Sequence, residues 1–217
     1  MIEFKNVTKF FKTQQHRKTI LDSVSVEFQS GFSYGLLGVN GAGKSTTMRM
    51  IAGTILPNSG RIWKDVRVSW PLGFAGGFHQ EMTGKENLNF VSRAYGEDVV
   101  RVARFVDEFS ELGDYINAPV RTYSSGMMAR LAFGLSMAIE FDCYLVDEIT
   151  AVGDARFQER CTTAFSNRRK NSDIIMISHG MGTIKQYCDK GMVLVDGRLI
   201  VFDNVEDAIQ TYYRLNR

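Results

Sequence analysis

Cysteine and histidine are scarce in this sequence of 217 residues, and the few present are not paired. There are three histidines and three cysteines, Cys143, Cys161 and Cys188. The cysteines lie far apart without a CxxC spacing, which argues against a disulfide framework and against a cysteine-rich zinc site. We therefore expect a protein of a reducing compartment such as the cytosol.

An excess of either charge is also lacking. Lysine and arginine together number 26 and aspartate and glutamate 24, which leaves a formal net charge of +2. Domains that bind nucleic acid or anionic membrane surfaces usually carry a stronger basic excess. We therefore expect no nucleic-acid partner.

Long apolar runs are missing as well. No stretch reaches the ~18 uninterrupted apolar residues of a membrane-spanning helix, and the nearest candidate, LAFGLSMAIEFDCYLV, is broken by Glu140 and Asp142. The N-terminal MIEFKNVTKFF lacks the basic and then apolar order of a signal peptide, and no lipidation motif is present. If the protein works at a membrane, we expect another protein to hold it there.

Strand and helix patterns alternate along the chain. Apolar or β-branched runs predict strands at IEFKNV, VSVEF, YGLLG, RIW, CYLVD, DIIMIS, MVLV and RLIVF. Helical periodicity follows Lys44 and recurs over residues 83–95, 98–112, 127–140, 155–170 and 205–215. This order predicts an α/β fold in which residues 1–217 form one domain, with a helical subdomain inserted at roughly residues 75–140.

The segment GVNGAGKS at residues 38–45 fits the pattern G-x-x-x-x-G-K-[ST]. It follows the predicted strand YGLLG and precedes a predicted helix, as a phosphate-binding loop should. Glycine-rich backbone turns N–H groups towards phosphate oxygens, Lys44 reaches the β and γ phosphates, and Ser45 offers a hydroxyl to magnesium. We predict a nucleotide site formed by Gly38, Asn40, Gly41, Ala42, Gly43, Lys44, Ser45 and Thr46.

Two acids end the apolar strand in FDCYLVDE. Beside a phosphate loop, Asp147 is suited to hold magnesium and Glu148 to position the attacking water, although adjacent acids at a strand end are often only solvated charges. His179 ends the later run IIMISH and is a candidate for contact with the γ-phosphate or the water. We therefore predict Lys44, Glu148 and His179 as the catalytic residues.

The order of the phosphate loop, YSSGM, LVDE and IMISH resembles that of the nucleotide-binding subunits of ABC transporters. The resemblance implies ATP and Mg²⁺ as cofactors and a P-loop ABC-type fold with an N-terminal antiparallel β region. It also implies a head-to-tail homodimer, in which Ser124, Ser125 and Gly126 of one copy contact the γ-phosphate held by the other. The alternative is an ordinary serine cap at the start of a helix.

Further residues are assigned by the same resemblance. Asp154, in DEITAVGD, matches the family's inter-subunit aspartate, and Phe11 matches the aromatic that stacks on adenine, with Phe10 as the alternative. The family's magnesium-contacting glutamine has no clear counterpart. Gln80 is the nearest glutamine, but counting back from TGKENL places the expected position near residues 74–75, which leaves Gln80 as a candidate metal contact or a plain loop residue.

The stretches SWPLGFAGGFHQEMTGKENLNFVSRAYG and ITAVGDARFQERC resemble the ATP-binding subunits of bacterial polysaccharide exporters. Because the sequence ends at Arg217, it is similar to the capsular exporters rather than to O-antigen members with an added carbohydrate-binding domain. This resemblance implies ATP-driven export of a lipid-linked polysaccharide through a separate membrane permease, at the cytoplasmic face of the inner membrane. The alternatives are a soluble non-transport ABC-type ATPase and a regulatory module without turnover.

The same resemblance places the contact with the permease on the loop and helix from Trp70 to Tyr95. Trp70, Phe74 and Phe78 are the aromatic residues there that an interface would use as anchors. The alternative is that these aromatics pack inside the domain.

Overall fold

The structure is a computed structural model that describes residues 1–12, 16–72, 76–147, 154–178 and 180–216. Its contacts divide the chain into two compact units. The first unit comprises Met1–Pro71, Phe141–Ile149 and Ser172–Arg217, and the second comprises Leu72–Glu140 and Thr150–Asn171.

Three antiparallel strands form a small sheet in the first unit. They are β1 (Ile2–Lys12), β2 (Arg17–Phe28) and β4 (Ser59–Lys64), in the order β2-β1-β4. Both β1 and β2 extend beyond the predicted runs, because the two strands stay paired as far as Phe11 opposite Lys18 and Lys12 opposite Arg17. This sheet is the N-terminal antiparallel region that we expected.

A six-stranded sheet forms the centre of the first unit. Its strands, in spatial order, are β5 (Val68–Pro71), β6 (Cys143–Asp147), β7 (Asp173–Ile177), β3 (Tyr34–Leu37), β8 (Lys190–Val195) and β9 (Arg198–Phe202). Only the β8–β9 pair is antiparallel among these described strands. The inner strands are continuous apolar runs because both of their faces are covered. Their parallel order brings the carboxyl ends of β3 and β6 to the same edge of the sheet.

The helices of the first unit are α1 (Lys44–Ala52), α6 (Met181–Tyr187) and α7 (Val205–Leu215). The two sheets share one core, where Phe28 packs edge-on against Phe4 and Tyr34, with ring centroids 5.4 and 5.6 Å away. The Tyr34 hydroxyl accepts a hydrogen bond from the Gln29 N–H at 3.0 Å. Strand β5 and helix α6 are missing from the sequence prediction, because each is short and contains a proline or glycine.

The second unit is helical. It contains α2 (Gly84–Ala94), α3 (Val99–Ser110), α4 (Ser125–Ala138) and α5 (Ala155–Arg169), with short 3-10 turns at Gly113–Asn117 and Val120–Thr122. Phe109 of α3 lies at the centre of this unit, 6.0 Å from the ring of Phe133 on α4 and 5.5 Å from that of Phe157 on α5. None of the described helices is both long and apolar enough to cross a membrane.

Candidate nucleotide-binding site

The glycine-rich loop connects β3 to α1 and is shaped by its own unit. Gly43 caps α1 with φ at 111°, a conformation that glycine adopts without steric cost. A Cβ at this position would lie less than 3.0 Å from Ile20 Cγ2. The Gly43 carbonyl accepts hydrogen bonds from the Thr47 N–H at 2.8 Å and from the Thr47 hydroxyl at 3.0 Å. The loop therefore depends on glycine at this position.

The Lys44 side chain folds back over this loop. Its Nζ donates to the carbonyl oxygen of Gly38 at 2.6 Å and to that of Val39 at 3.2 Å. These bonds hold a positive charge beside the first turn of α1, where the helix dipole adds further positive potential. The arrangement suits a phosphate chain, as the motif predicted.

A cleft of about 450 Å³ opens above the loop, within the roughly 300–1,000 Å³ range of small-molecule sites. All of its lining residues belong to the first unit. They are Phe11, Lys18, Ile20, Asn40, Gly41, Gly43, Lys44, Ser45, Thr46, Asp147 and Ile177.

Asp147 is the only acid lining this cleft among the described residues. It ends β6 opposite Ile177 of β7 and is partly exposed. With the Ser45 hydroxyl it offers the oxygen ligands that Mg²⁺ prefers. The described residues contain no group of three or more His, Cys, Asp or Glu able to hold a metal, so a magnesium ion here would also need phosphate and water oxygens. Glu148 and His179 lie outside the described residues.

Phe11 and, as the alternative, Phe10 are the aromatic residues predicted to stack on adenine, and the structure distinguishes their positions. Phe11 lines the cleft and is 46% exposed. The Phe10 ring is covered by the guanidinium of Arg17, whose carbon lies 3.9 Å from the ring centroid. Lys9 Nζ lies 5.1 Å from the centroid of the Phe11 ring, but of the two rings Phe11 is the one that lines the cleft.

Lys18, Ile20 and Ile177 also line the cleft, and the sequence interpretation missed all three. The feature that could have identified Lys18 is the pairing of β1 with β2, which sets Lys18 opposite Phe11. Motif spacing alone does not show such cross-strand neighbours.

The turn formed by residues 124–126 of YSSGM, hereafter the signature turn, lies in the second unit at the start of α4. Ser124 caps this helix, and its hydroxyl accepts a hydrogen bond from the Met127 N–H at 3.2 Å. Ser124 and Ser125 are exposed, and within this unit a Cβ at Gly126 would have a single neighbour, Ser124 Oγ at 3.9 Å. The first N–H groups of a helix lack acceptors in the helix itself. The turn therefore caps its helix and also presents donors to the surface.

Asp154 caps α5 and binds within its own unit. Its carboxylate accepts hydrogen bonds from the Phe157 N–H at 2.9 Å and from Arg130 at 2.7 Å. The bond from the Phe157 backbone, helped by the charge of Arg130, lowers the pKa of Asp154. Arg130 also lies 3.4 Å from Glu111, to which Arg160 is bound as well. An ion-pair cluster thus joins the starts of α4 and α5 to the end of α3.

Gln80 lies in an exposed turn of the second unit. Its carbonyl oxygen accepts a hydrogen bond from the Arg121 N–H at 2.9 Å. Gln80 is therefore a loop residue whose backbone carbonyl is hydrogen-bonded.

The aromatic residues of the expected docking region differ in exposure. Trp70 packs edge-on against Phe141 within the first unit, with ring centroids 5.4 Å apart, and Phe74 lies outside the described residues. Phe78 is half-buried, whereas Phe90 on α2 is 65% exposed. Phe90 borders a shallow cleft of about 510 Å³, lined by Met82, Glu86, Asn89, Phe90, Arg93 and Ala94.

Comparison with known proteins agrees with this arrangement. A family profile described as "ABC transporter" matches residues 21–151. The chain is similar to the capsule polysaccharide export ATP-binding protein CtrD of Neisseria meningitidis serogroup B, at 46% identity over 99% of this chain and 100% of that protein. It is also similar to the ATP-binding protein BexA of Haemophilus influenzae, at 48% identity over 98% of each chain.

Among solved structures, the fold is similar to that of the dimeric ATP-binding cassette MJ0796, determined in a post-hydrolysis state with ADP and phosphate. The TM-score is 0.75 at 19% identity, over 94% of this chain and 99% of that chain. This likeness confirms the predicted cassette fold.

Proposed function

Because this chain belongs to the ABC transporter family, we propose that it is the ATP-hydrolysing subunit of a capsular polysaccharide exporter. The observation that carries the proposal is the single cleft that gathers the phosphate loop, Asp147 and Phe11, in a chain similar over nearly its whole length to capsule export proteins. No feature of the described residues favours the alternative of a soluble ATPase without a membrane partner.

In this proposal residues 1–217 act as one nucleotide-binding domain, and ATP binds along the phosphate loop from Gly38 to Thr46. Lys44 neutralises the phosphates, and Phe11 stacks on the adenine. Ser45 and Asp147 hold the magnesium ion. Bound ATP supplies the phosphoanhydride bond whose hydrolysis drives transport. Lys44 stabilises the charge that develops on the phosphates.

Three further roles are carried over from the sequence. Glu148 orients the attacking water, and His179 contacts the γ-phosphate or that water. Gln80 is the candidate for the family's metal-contacting glutamine, although it is an exposed turn residue of the second unit.

Two copies of the chain form the active unit. Ser124, Ser125 and Gly126 of one copy contact the nucleotide held by the other, and Asp154 lies near the same subunit boundary. The exposure of both serines and the open space at Gly126 support this role. A cap needed only by its own helix would not require a glycine there.

The membrane partner is an integral permease, which holds the dimer at the cytoplasmic face of the bacterial inner membrane and carries the polysaccharide. We place the docking surface on α2, where Phe90 is exposed beside the shallow cleft that extends to Arg93 and Ala94. An exposed aromatic at a concave surface is a common anchor in protein interfaces.

Gene deletion and complementation test this function. Deleting the gene should remove polysaccharide from the cell surface while the polymer accumulates inside, and wild-type protein but not Lys44→Ala should restore export. Phe90→Asp should block export yet keep ATP binding. Val100→Asp should leave both export and ATP binding unchanged, because Val100 is equally exposed in the same unit but does not line the α2 cleft. Normal surface polysaccharide after deletion would overturn the proposal.

A further inference from the structure

Lys18 is a second cation in the nucleotide cleft, and no motif accounts for it. It lies near the start of β2, opposite Phe11 on β1, and lines the cleft. Its ammonium also approaches the phosphate loop, because a Cβ built at Gly41 would lie 3.4 Å from Lys18 Nζ. Gly41 belongs to the motif that binds phosphate.

The neighbouring cations are already engaged, whereas Lys18 has no partner among the described residues. Lys44 donates to two loop carbonyls, and the Arg17 guanidinium stacks on Phe10. Within the part of the chain that the structure describes, the Lys18 ammonium makes no hydrogen bond and no ion pair. Lys18 therefore carries a charge near the phosphate loop that no described residue neutralises.

The Lys18 side chain could either pack beside the adenine or place its ammonium near the phosphates. The position of the ammonium distinguishes these two roles. A lysine stem can cover an apolar or aromatic surface while its charged end stays in water, which here would mean packing beside the adenine near Phe11. The end of Lys18 instead lies beside Gly41 of the phosphate loop. A charge at that position attracts an anion that binds to the loop.

We propose that Lys18 is a second phosphate-binding residue of the cleft, whose ammonium pairs with the phosphate chain of the nucleotide from β2 while Lys44 does so from α1. This inference rests on the proposed function, since it assumes that the nucleotide binds in this cleft. It assigns a binding and specificity role, which favours nucleotides with more phosphate charge.

The test measures equilibrium binding of ATP, ADP and adenosine to the full chain, by competition against a fluorescent ATP analogue. Lys18→Gln should weaken ATP binding about tenfold, the usual size of a lost charge-assisted hydrogen bond, and ADP binding less. Adenosine binding should not change. Lys18→Arg should recover most of the ATP affinity, and the difference between wild type and Lys18→Gln should shrink at high salt, because salt screens exposed charges.

Lys5→Gln is the matched control, because Lys5 lies on the same sheet, is about half exposed and does not line the cleft. It should bind all three ligands like wild type. An equal loss of adenosine and ATP affinity in Lys18→Gln would overturn the inference, as would unchanged ATP binding. If Lys44→Ala also binds ATP normally, the cleft is not the nucleotide site and the proposed function fails with it. If only Lys44→Ala loses ATP, the inference alone fails.

Discussion

The phosphate loop and the signature turn both contain glycine at the start of a helix, but only one of them needs glycine for its own fold. Gly43 has φ at 111°, and a side chain there would collide with Ile20. Gly126 has no positive φ, and its unit leaves the space around it open. The phosphate loop is thus complete within its own unit. The space beside Gly126 is open within its unit, as the proposed contact with a nucleotide on a second copy requires.

The largest effect on ATP turnover is expected from removing the Lys44 side chain of the phosphate loop. Lys44→Ala should lower ATP turnover by at least about 100-fold, because the charge that meets the β and γ phosphates is lost. ATP binding should weaken as well. Phosphate release and nucleotide binding measure both, with Lys5→Ala as the control. Turnover at the wild-type rate would show that this loop is not the phosphate site.

Replacing Gly43 or Gly126 with alanine should separate effects on stability from effects on ATPase activity. Gly43→Ala should destabilise the protein by about 3 kcal/mol, since the methyl group meets Ile20 and φ is strained. Gly126→Ala should leave the free energy of unfolding unchanged or raise it by ~0.5 kcal/mol, because alanine favours a helix. Its ATPase activity should nevertheless fall.

Denaturant unfolding and phosphate release of the same two variants provide the measurement. A Gly126→Ala protein with full ATPase activity would remove the contrast between the two turns. So would a Gly43→Ala protein as stable as wild type.

The two serines of the signature turn allow a finer comparison. Ser124→Ala should cost about 1 kcal/mol of stability, because its hydroxyl caps α4 through the Met127 N–H. Ser125→Ala should cost nothing, since Ser125 is exposed and alanine is the better helix former. Both variants should lose ATPase activity. If only Ser124→Ala loses activity, the turn acts through helix stability and not through contact with a nucleotide.

The positions of the two turns and of the strand-end acids were predictable from the sequence, because the phosphate loop, YSSGM and the strand ends are local patterns. Lys18 was not, since its place in the cleft depends on the pairing of β1 with β2. For Trp70 the sequence left open whether it is a surface anchor or packs inside the domain. It is partly exposed and packs on Phe141, which lies far away in the sequence. The bond between Asp154 and Arg130 is equally non-local. Contacts of this kind follow from tertiary structure, which no motif encodes.

The smallest expected effect concerns Asp154 at low pH. Its pKa is lowered in the folded state by the Phe157 N–H and by Arg130. The carboxylate therefore stabilises the fold above its unfolded pKa, near 3.9, and this contribution is lost as the pH falls through the lower folded pKa.

Asp154→Asn keeps a good helix cap but removes the charge. Its stability should be slightly below that of wild type at pH 7, and the two proteins should converge as the pH falls towards 2. Unfolding curves measured across this range provide the check. A difference that stays constant with pH would show that the charge on Asp154 does not stabilise the fold.

Mixing two inactive variants tests most directly whether the signature turn acts on a nucleotide held by another copy. Ser125→Arg keeps an intact phosphate loop and Lys44→Ala keeps an intact signature turn, so each heterodimer should contain one complete site. With free exchange between equal amounts, about a quarter of the wild-type number of complete sites should form, and ATPase activity should rise well above that of either parent. Mixtures that exchange subunits but remain as inactive as the parents would contradict the account, as would full activity of Ser125→Arg alone.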